Sequence, residues 1–291
     1  EIAREYGVSY LEMIAKLKQK YDGYHFSEKM VGIYNPFSLC NALQNKKLGN
    51  YWFETGTPTF LVRLLENKSF DIPDLEGEIT IDNREMDVYR IDHDNLILLL
   101  FQTGYLTIKD YKVSPVSFNT RYVLGYPNDE VKYAFLFCLM EVYTSARTSK
   151  DGVFKIDFYK EAIEAGDIDR VLTLIKALMA SIPYDNLPSD KLFLREHNYQ
   201  TTIYLIFALM GEYVRTEVHS AKGRSDVEVE TSDAIYIFEF KVGGKPADAI
   251  AQIKVAGYAE KHSASNKNII LIGATISRNK RTLSKWQIER V

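Results

Sequence analysis

Polar and apolar positions change their period along this chain, and the changes mark out its elements. Residues 234–242 form a run of β-branched and aromatic residues, Ala-Ile-Tyr-Ile-Phe-Glu-Phe-Lys-Val, which predicts a strand. The preceding Ser225-Asp226-Val227-Glu228-Val229-Glu230 alternates polar with apolar, the period of a second strand. Glu230-Thr231-Ser232-Asp233 reads as the hairpin turn between them. Upstream, residues 194–210 carry Tyr199, Ile203, Ile206 and Met210 on one helical stripe, and residues 212–219 read as a short strand. Downstream, residues 246–262 predict a helix and residues 268–274 a buried strand, so the order is helix, three strands, helix, strand.

The first half has a different texture. Residues 9–20 are an amphipathic helix, followed by an aromatic, turn-rich stretch in which Pro36 suits the first position of a helix over residues 37–43. A helix at 58–66, a helix at 91–102, a strand at 104–108, a hairpin partner at 121–126 and a helix at 129–143 complete this part. Helix, hairpin, helix in this order looks winged-helix-like. Helical patches at 156–165 and 168–180 lead to Pro183-Tyr184-Asp185-Asn186-Leu187-Pro188, which reads as a linker. The fold class expected is α/β (α+β).

Strand alternation puts Glu239 and Lys241 on the same face of their strand. Such a pair alone is commonly just a solvated strand face; Gly223-Arg224-Ser225-Asp226 at hairpin distance changes its meaning. With a two-residue loop at Thr231-Ser232, Asp226 would lie opposite Ile237 and diagonal to Glu239, a Cα separation of about 7–8 Å. Two carboxylates there can share one divalent cation, and Mg²⁺, which prefers oxygen ligands and keeps several waters, suits them. A lysine beside such an ion can orient or deprotonate a water, or neutralise charge on phosphorus oxygens. Glu228 shares the face of Asp226 and reads as a solvated strand residue, with a third acidic group of the site as the alternative.

These residues resemble the PD-(D/E)XK nuclease superfamily, in the version found at the C-terminus of bacterial AAA-ATPase-like proteins. The resemblance implies a restriction-endonuclease-like αβββαβ core with a mixed sheet, with Asp226 and Glu239 as metal ligands, Lys241 as the catalytic lysine and Mg²⁺ or Mn²⁺ as the cofactor. Glu196 on the first helix matches a further acidic ligand, with a helix-dipole role as the alternative. Gln252 on the second helix matches a residue that contacts the site, whereas Tyr258, six positions on, falls on another face. Arg224, a planar and permanently charged fork beside Asp226, is a candidate phosphate ligand, with a surface ion pair as the alternative. Tyr21-Asp22-Gly23-Tyr24, Tyr34-Asn35-Pro36 and Tyr51-Trp52-Phe53-Glu54-Thr55 resemble, in that order, motifs closing the ATPase-like domain. The implied organisation is an ATPase-like remnant at 1–148, a helical connector at 149–192 and a nuclease-like domain at 193–291.

The 291 residues, 46% hydrophobic and 26% charged, describe a globular protein with room for two cores. No stretch of about twenty apolar residues occurs, and a cytoplasmic protein is the expectation. Cys40 and Cys138 lie in apolar segments and read as reduced core residues; the histidines show no ligand spacing, and His197 is the one expected near the site. A net charge of −3 excludes a surface coated in basic charge but not a local basic patch. Nucleic acid, DNA first, is the partner implied; a membrane is not, and an oligomer is compatible. A non-catalytic nucleic-acid- or protein-binding sensor of an ATPase is the alternative function. No Gly-x-x-x-x-Gly-Lys-Ser/Thr occurs, so ATP binding is not expected of these residues. The resemblance places that loop in an N-terminal ATPase portion, which a chain starting at Glu1 is expected to lack.

Overall fold

The computed structural model describes residues 1–52, 72–77, 79–86, 96–143, 155–182, 192–211, 215–221, 224–257, 262, 265–277, 279–280 and 282–291, without the side chains of 141–143, 192–200, 215–221 and 224–226. The expected helix at 58–66, the linker at 183–188, Thr55 and Tyr258 lie outside them. Two compact units emerge, Glu1–Cys138 and Leu139–Val291.

In the first unit, α1 (Ile2–Glu5) precedes α2 (Tyr10–Tyr21), where Ser9 caps the helix by accepting from the Glu12 N–H at 3.2 Å. The stripe Met13, Leu17 and Tyr21 packs with Ile2, Ala42 and Tyr51 into a small core. As expected, Pro36 opens α3 (Pro36–Asn45), with Asn35 as its cap. The aromatic motifs hold the chain together. Tyr21 Oη donates to the Gly49 carbonyl and accepts from the Gly49 N–H, each at 2.9 Å. The fully buried Glu130 accepts from the backbone N–H of Tyr51 at 2.7 Å and of Trp52 at 3.1 Å. Burial pushes the Glu130 carboxyl above its ordinary value of 4.5. Gly23, at φ +104°, leaves no room for a side chain, because a Cβ there would fall 2.2 Å from the Pro127 carbonyl oxygen.

The unit's sheet pairs β1 (Ile79–Asp82), followed by α4 (Asn83–Met86), with β3 (Thr120–Gly125), and β3 with β2 (Thr107–Val113), all antiparallel. Strand β2 begins later than the pattern predicted. Gly104, at φ +82°, closes α5 (Leu96–Gln102), and the N–H groups of Tyr105 and Leu106 both turn back to the Leu100 carbonyl. Apolar residues at 104–106 therefore belong to a helix cap. Cys40 is exposed on α3, which corrects its reading as a core residue; Cys138, on α6 (Asp129–Tyr143), is half-buried, and neither is in a disulfide.

The second unit is a five-stranded sheet in the order β4 (Arg215–Ala221), β5 (Arg224–Glu230), β6 (Ala234–Val242), β7 (Asn268–Ser277), β8 (Thr282–Arg290). Only β6 and β7 run parallel, and α10 (Pro246–Val255) supplies the crossover that a parallel pair requires. The sheet is mixed, as expected. Strand β6 is buried from Ala234 to Phe240, which its unbroken apolar run demands of a central strand. Its alternating residues go to two layers. Phe238 and Phe240 meet Phe207 of α9 (Leu192–Met210), with centroids 5.0 and 5.9 Å apart. Ile235 and Ile237 pack with Ile250 and Ile253 of α10 and Leu271 of β7.

Segments read as a connector are part of this unit. α7 (Ile156–Glu164) leads into α8 (Ile168–Ser181), which meets β8 through Trp286 Nε1 donating to Asp169 at 2.7 Å and Thr282 Oγ1 donating to the Lys176 carbonyl at 2.9 Å. Strand β8 had no counterpart among the elements the pattern predicts. Its residues Thr-Leu-Ser-Lys-Trp-Gln-Ile-Glu-Arg are too polar to announce themselves, because an edge strand buries little. Helix α10 is shorter than predicted, ending where Gly257 takes φ +67° after the Ala256 cap.

Candidate active site

The hairpin sets the geometry. Thr231 N–H donates to the Ala234 carbonyl at 2.9 Å, and Ala234 N–H donates to Thr231 Oγ1 at 3.2 Å, so the two-residue loop is Ser232-Asp233. This corrects the expected loop at Thr231-Ser232. The shift moves every pairing: Asp226 lies directly opposite Glu239, not opposite Ile237, and Arg224 lies opposite Lys241. Directly opposed Cα atoms in an antiparallel pair are about 4.5–5.5 Å apart, closer than the diagonal arrangement expected. Threonine's hydroxyl decides the register, since it satisfies the backbone at the point where the strands part.

Cross-strand partners share a face, so the ladder continues as rows. One row runs His219, Asp226, Glu239, Gly273, Gln287, and the next runs Ala221, Arg224, Lys241, Thr275, Lys285. Both lie on the face that α10 covers. Glu239 is fully buried, whereas Lys241 is half-buried, and its ammonium donates to the Asp248 carbonyl in the first turn of α10 at 3.3 Å. Asp226, Arg224 and Glu196 are placed by their backbone and register alone, since their side chains are not among those described.

Gly273 went unnoticed in the sequence, and it shapes the site. A Cβ there would fall 2.3 Å from the Pro246 carbonyl oxygen, 3.0 Å from Ile250 Cγ1 and 3.1 Å from Ala249 Cβ. The first residue of α10 thus rests directly on the strand beside Glu239. A helix N-terminus carries a partial positive charge, which eases the burial of a carboxylate next to it. A lone glycine inside the apolar run of β7 was the available signal.

Gln252 is half-buried on the flank of α10, between residues that face the sheet. Glu196 belongs to α9, which packs through Phe207 on the layer opposite Glu239. Lys254 is engaged with Glu289 of β8. Among the described side chains His262 lies near these rows, its Nε2 2.8 Å from Glu228 Oε1, with 15% and 16% of the two side chains exposed, while His219 stands in the first row by register. Glu228 is therefore more enclosed than a solvated strand residue.

Oxygen donors at adjacent ladder positions fit a hard divalent cation. Glu239 offers a carboxylate removed from water, the position at which an ionised acid calls for a cation or strong hydrogen bonds. Among the described residues no three His, Cys, Asp or Glu side chains form a metal-binding cluster. No described helix is long and apolar enough to cross a membrane.

Residues 194–286 match the family model of the PD-(D/E)XK nuclease superfamily. An uncharacterized protein in the vnfD 5′ region of Azotobacter chroococcum is 34% identical over 276 residues, which cover 94% of this chain. The chain spans about half, 52%, of that relative's length. No solved structure matches.

Proposed function

We propose that the PD-(D/E)XK nuclease superfamily domain at residues 194–286 is a metal-dependent nuclease that hydrolyses phosphodiester bonds, with DNA as its substrate. The observation that carries this reading is the fully buried Glu239, directly opposite Asp226 and two residues from Lys241 on the face under the N-terminus of α10. Asp226 and Glu239 hold Mg²⁺ or Mn²⁺. The bound cation supplies a Lewis acid for the phosphate and lowers the pKa of a water. Lys241 would exchange its contact with the Asp248 carbonyl for the attacking water, orienting it and, as the neutral amine, accepting its proton. Arg224, opposite Lys241, pairs with a substrate phosphate through its planar fork. Gln252 borders the substrate path. Glu196, on α9, is the further acidic ligand that we assign by its match to the family pattern alone. In the intact protein we assign the first unit to an ATPase-like module with a winged-helix-like contact surface, coupled to cleavage.

Linear double-stranded and single-stranded DNA, incubated with the purified chain and Mg²⁺ or Mn²⁺, tests the reading. Lys241→Ala is expected to lower the cleavage rate by about 10²–10⁴-fold with the melting temperature preserved. Cleavage that persists in this variant, or in EDTA, contradicts the proposal. Mn²⁺ binding that depends on Glu239, without cleavage of either substrate, turns the assignment toward a non-catalytic sensor.

A further inference from the structure

The ladder row beside the Asp226–Glu239 pair holds Glu228, and its surroundings are unusual for a strand carboxylate. Val227 and Val229, 2% and 0% exposed, go to the α9 layer, so Glu228 faces the α10 layer with Asp226. Its Cα partner is Ile237, a member of the apolar cluster with Ile250, Ile253 and Leu271. A carboxylate at the rim of such a cluster loses hydration and calls for a compensating donor. The group set against it is His262, with Nε2 in close polar contact at 2.8 Å from Glu228 Oε1.

Connectivity gives this contact its meaning. His262 follows α10, the helix whose first residue rests on Gly273 beside Glu239 and whose Asp248 carbonyl receives Lys241. Helix α10 and His262 therefore both border the rows. Glu228 is two residues from Asp226 and diagonal to Glu239, a Cα separation of about 7–8 Å. With its carboxylate set against His262, it is within reach of water held by that pair.

We propose that Glu228 is an outer carboxylate of this site, accepting from metal-bound water, and that His262 is the positioning residue that aims it. The inference rests on the assignment of Asp226 and Glu239 as metal ligands. Outer partners of this kind are worth about 10–100-fold in metal affinity, because they fix the orientation of the groups that touch the ion.

Mn²⁺ titration of the full chain, by calorimetry and electron paramagnetic resonance, separates the possibilities when run beside thermal melts. His262→Ala and Glu228→Gln are expected to weaken Mn²⁺ binding by about tenfold or more, and His262→Gln, which keeps a polar group against Glu228, to recover part of the loss. Glu239→Gln is the control for the underlying assignment and is expected to abolish specific binding. Wild-type Mn²⁺ affinity in His262→Ala and Glu228→Gln, with Glu239→Gln still defective, overturns the inference and leaves the site assignment standing. Wild-type affinity in Glu239→Gln overturns both. A lowered melting temperature with unchanged affinity assigns the His262–Glu228 contact to tethering and likewise overturns the proposal. Should His262→Ala fail to fold, Glu228→Gln and His262→Gln carry the same comparison.

Discussion

Replacing Gly273 by alanine tests the arrangement that brings α10 against Glu239. The backbone at Gly273 is not in the left-handed region, so an unhindered Gly→Ala change would stabilise the fold by about 0.4–1 kcal/mol through the unfolded chain. Steric contact opposes this. The new methyl group would lie 2.3 Å from the Pro246 carbonyl oxygen, and since that atom is backbone, the helix must retreat by about an ångström to reach ordinary contact. Overpacking of this kind costs about 1–3 kcal/mol and outweighs the entropic gain, leaving a net loss of about 1–2 kcal/mol. For a unit of this size the melting temperature falls by about 2–8 °C. The functional effect is larger than the loss of stability explains. The first turn of α10 carries the Asp248 carbonyl that meets Lys241, and a displacement of about an ångström at reacting groups costs about 10²-fold in rate. Circular dichroism melts and the DNA cleavage assay measure the two effects. Ile253→Val, a core change costing about 0.5–1.5 kcal/mol away from the proposed chemistry, controls for simple destabilisation. A Gly273→Ala protein that melts higher than wild type and cleaves equally well would refute the close approach of α10 to β7.

Two predictions concern the first unit. The Glu130 carboxyl, raised above 4.5 by burial, stabilises the fold in its protonated form; below pH 4.5 that contribution is complete, and it is lost as pH rises through the folded-state pKa. Melting temperature measured against pH should therefore decline less steeply above pH 4.5 in Glu130→Gln than in wild type, and equal slopes would contradict the assignment. Tyr21→Phe removes both hydrogen bonds to Gly49 and is expected to destabilise by about 1–3 kcal/mol in urea titrations, with a change under about 0.5 kcal/mol arguing against their importance.

Much of the second unit could be read from period alone. The unbroken apolar run of β6 and the alternation of β5 are local patterns, and they specified two strands with Glu239 and Lys241 on one face. The helices flanking them followed from stripes such as Ile203, Ile206 and Met210. Caps at Ser9 and Asn35 and the helix start at Pro36 are equally local, because each satisfies backbone groups within a few residues. Residue types also pointed to the chemistry, since Asp226, Glu239 and Lys241 combine hard oxygen donors with a mobile cation.

Tertiary structure decided the pairing. Whether Asp226 stands opposite Ile237 or Glu239 depends on one residue of loop placement, settled by the Thr231 hydroxyl and its bonds to Ala234. Strand β8 exists because β7 offers an edge and α8 offers partners for Trp286 and Thr282; its own polar sequence carries little propensity. Gly273 and Pro246 are far apart in the chain, as are Glu228 and His262, and no period links them. A sequence records what each residue can do, and the layers of the fold decide which residues meet.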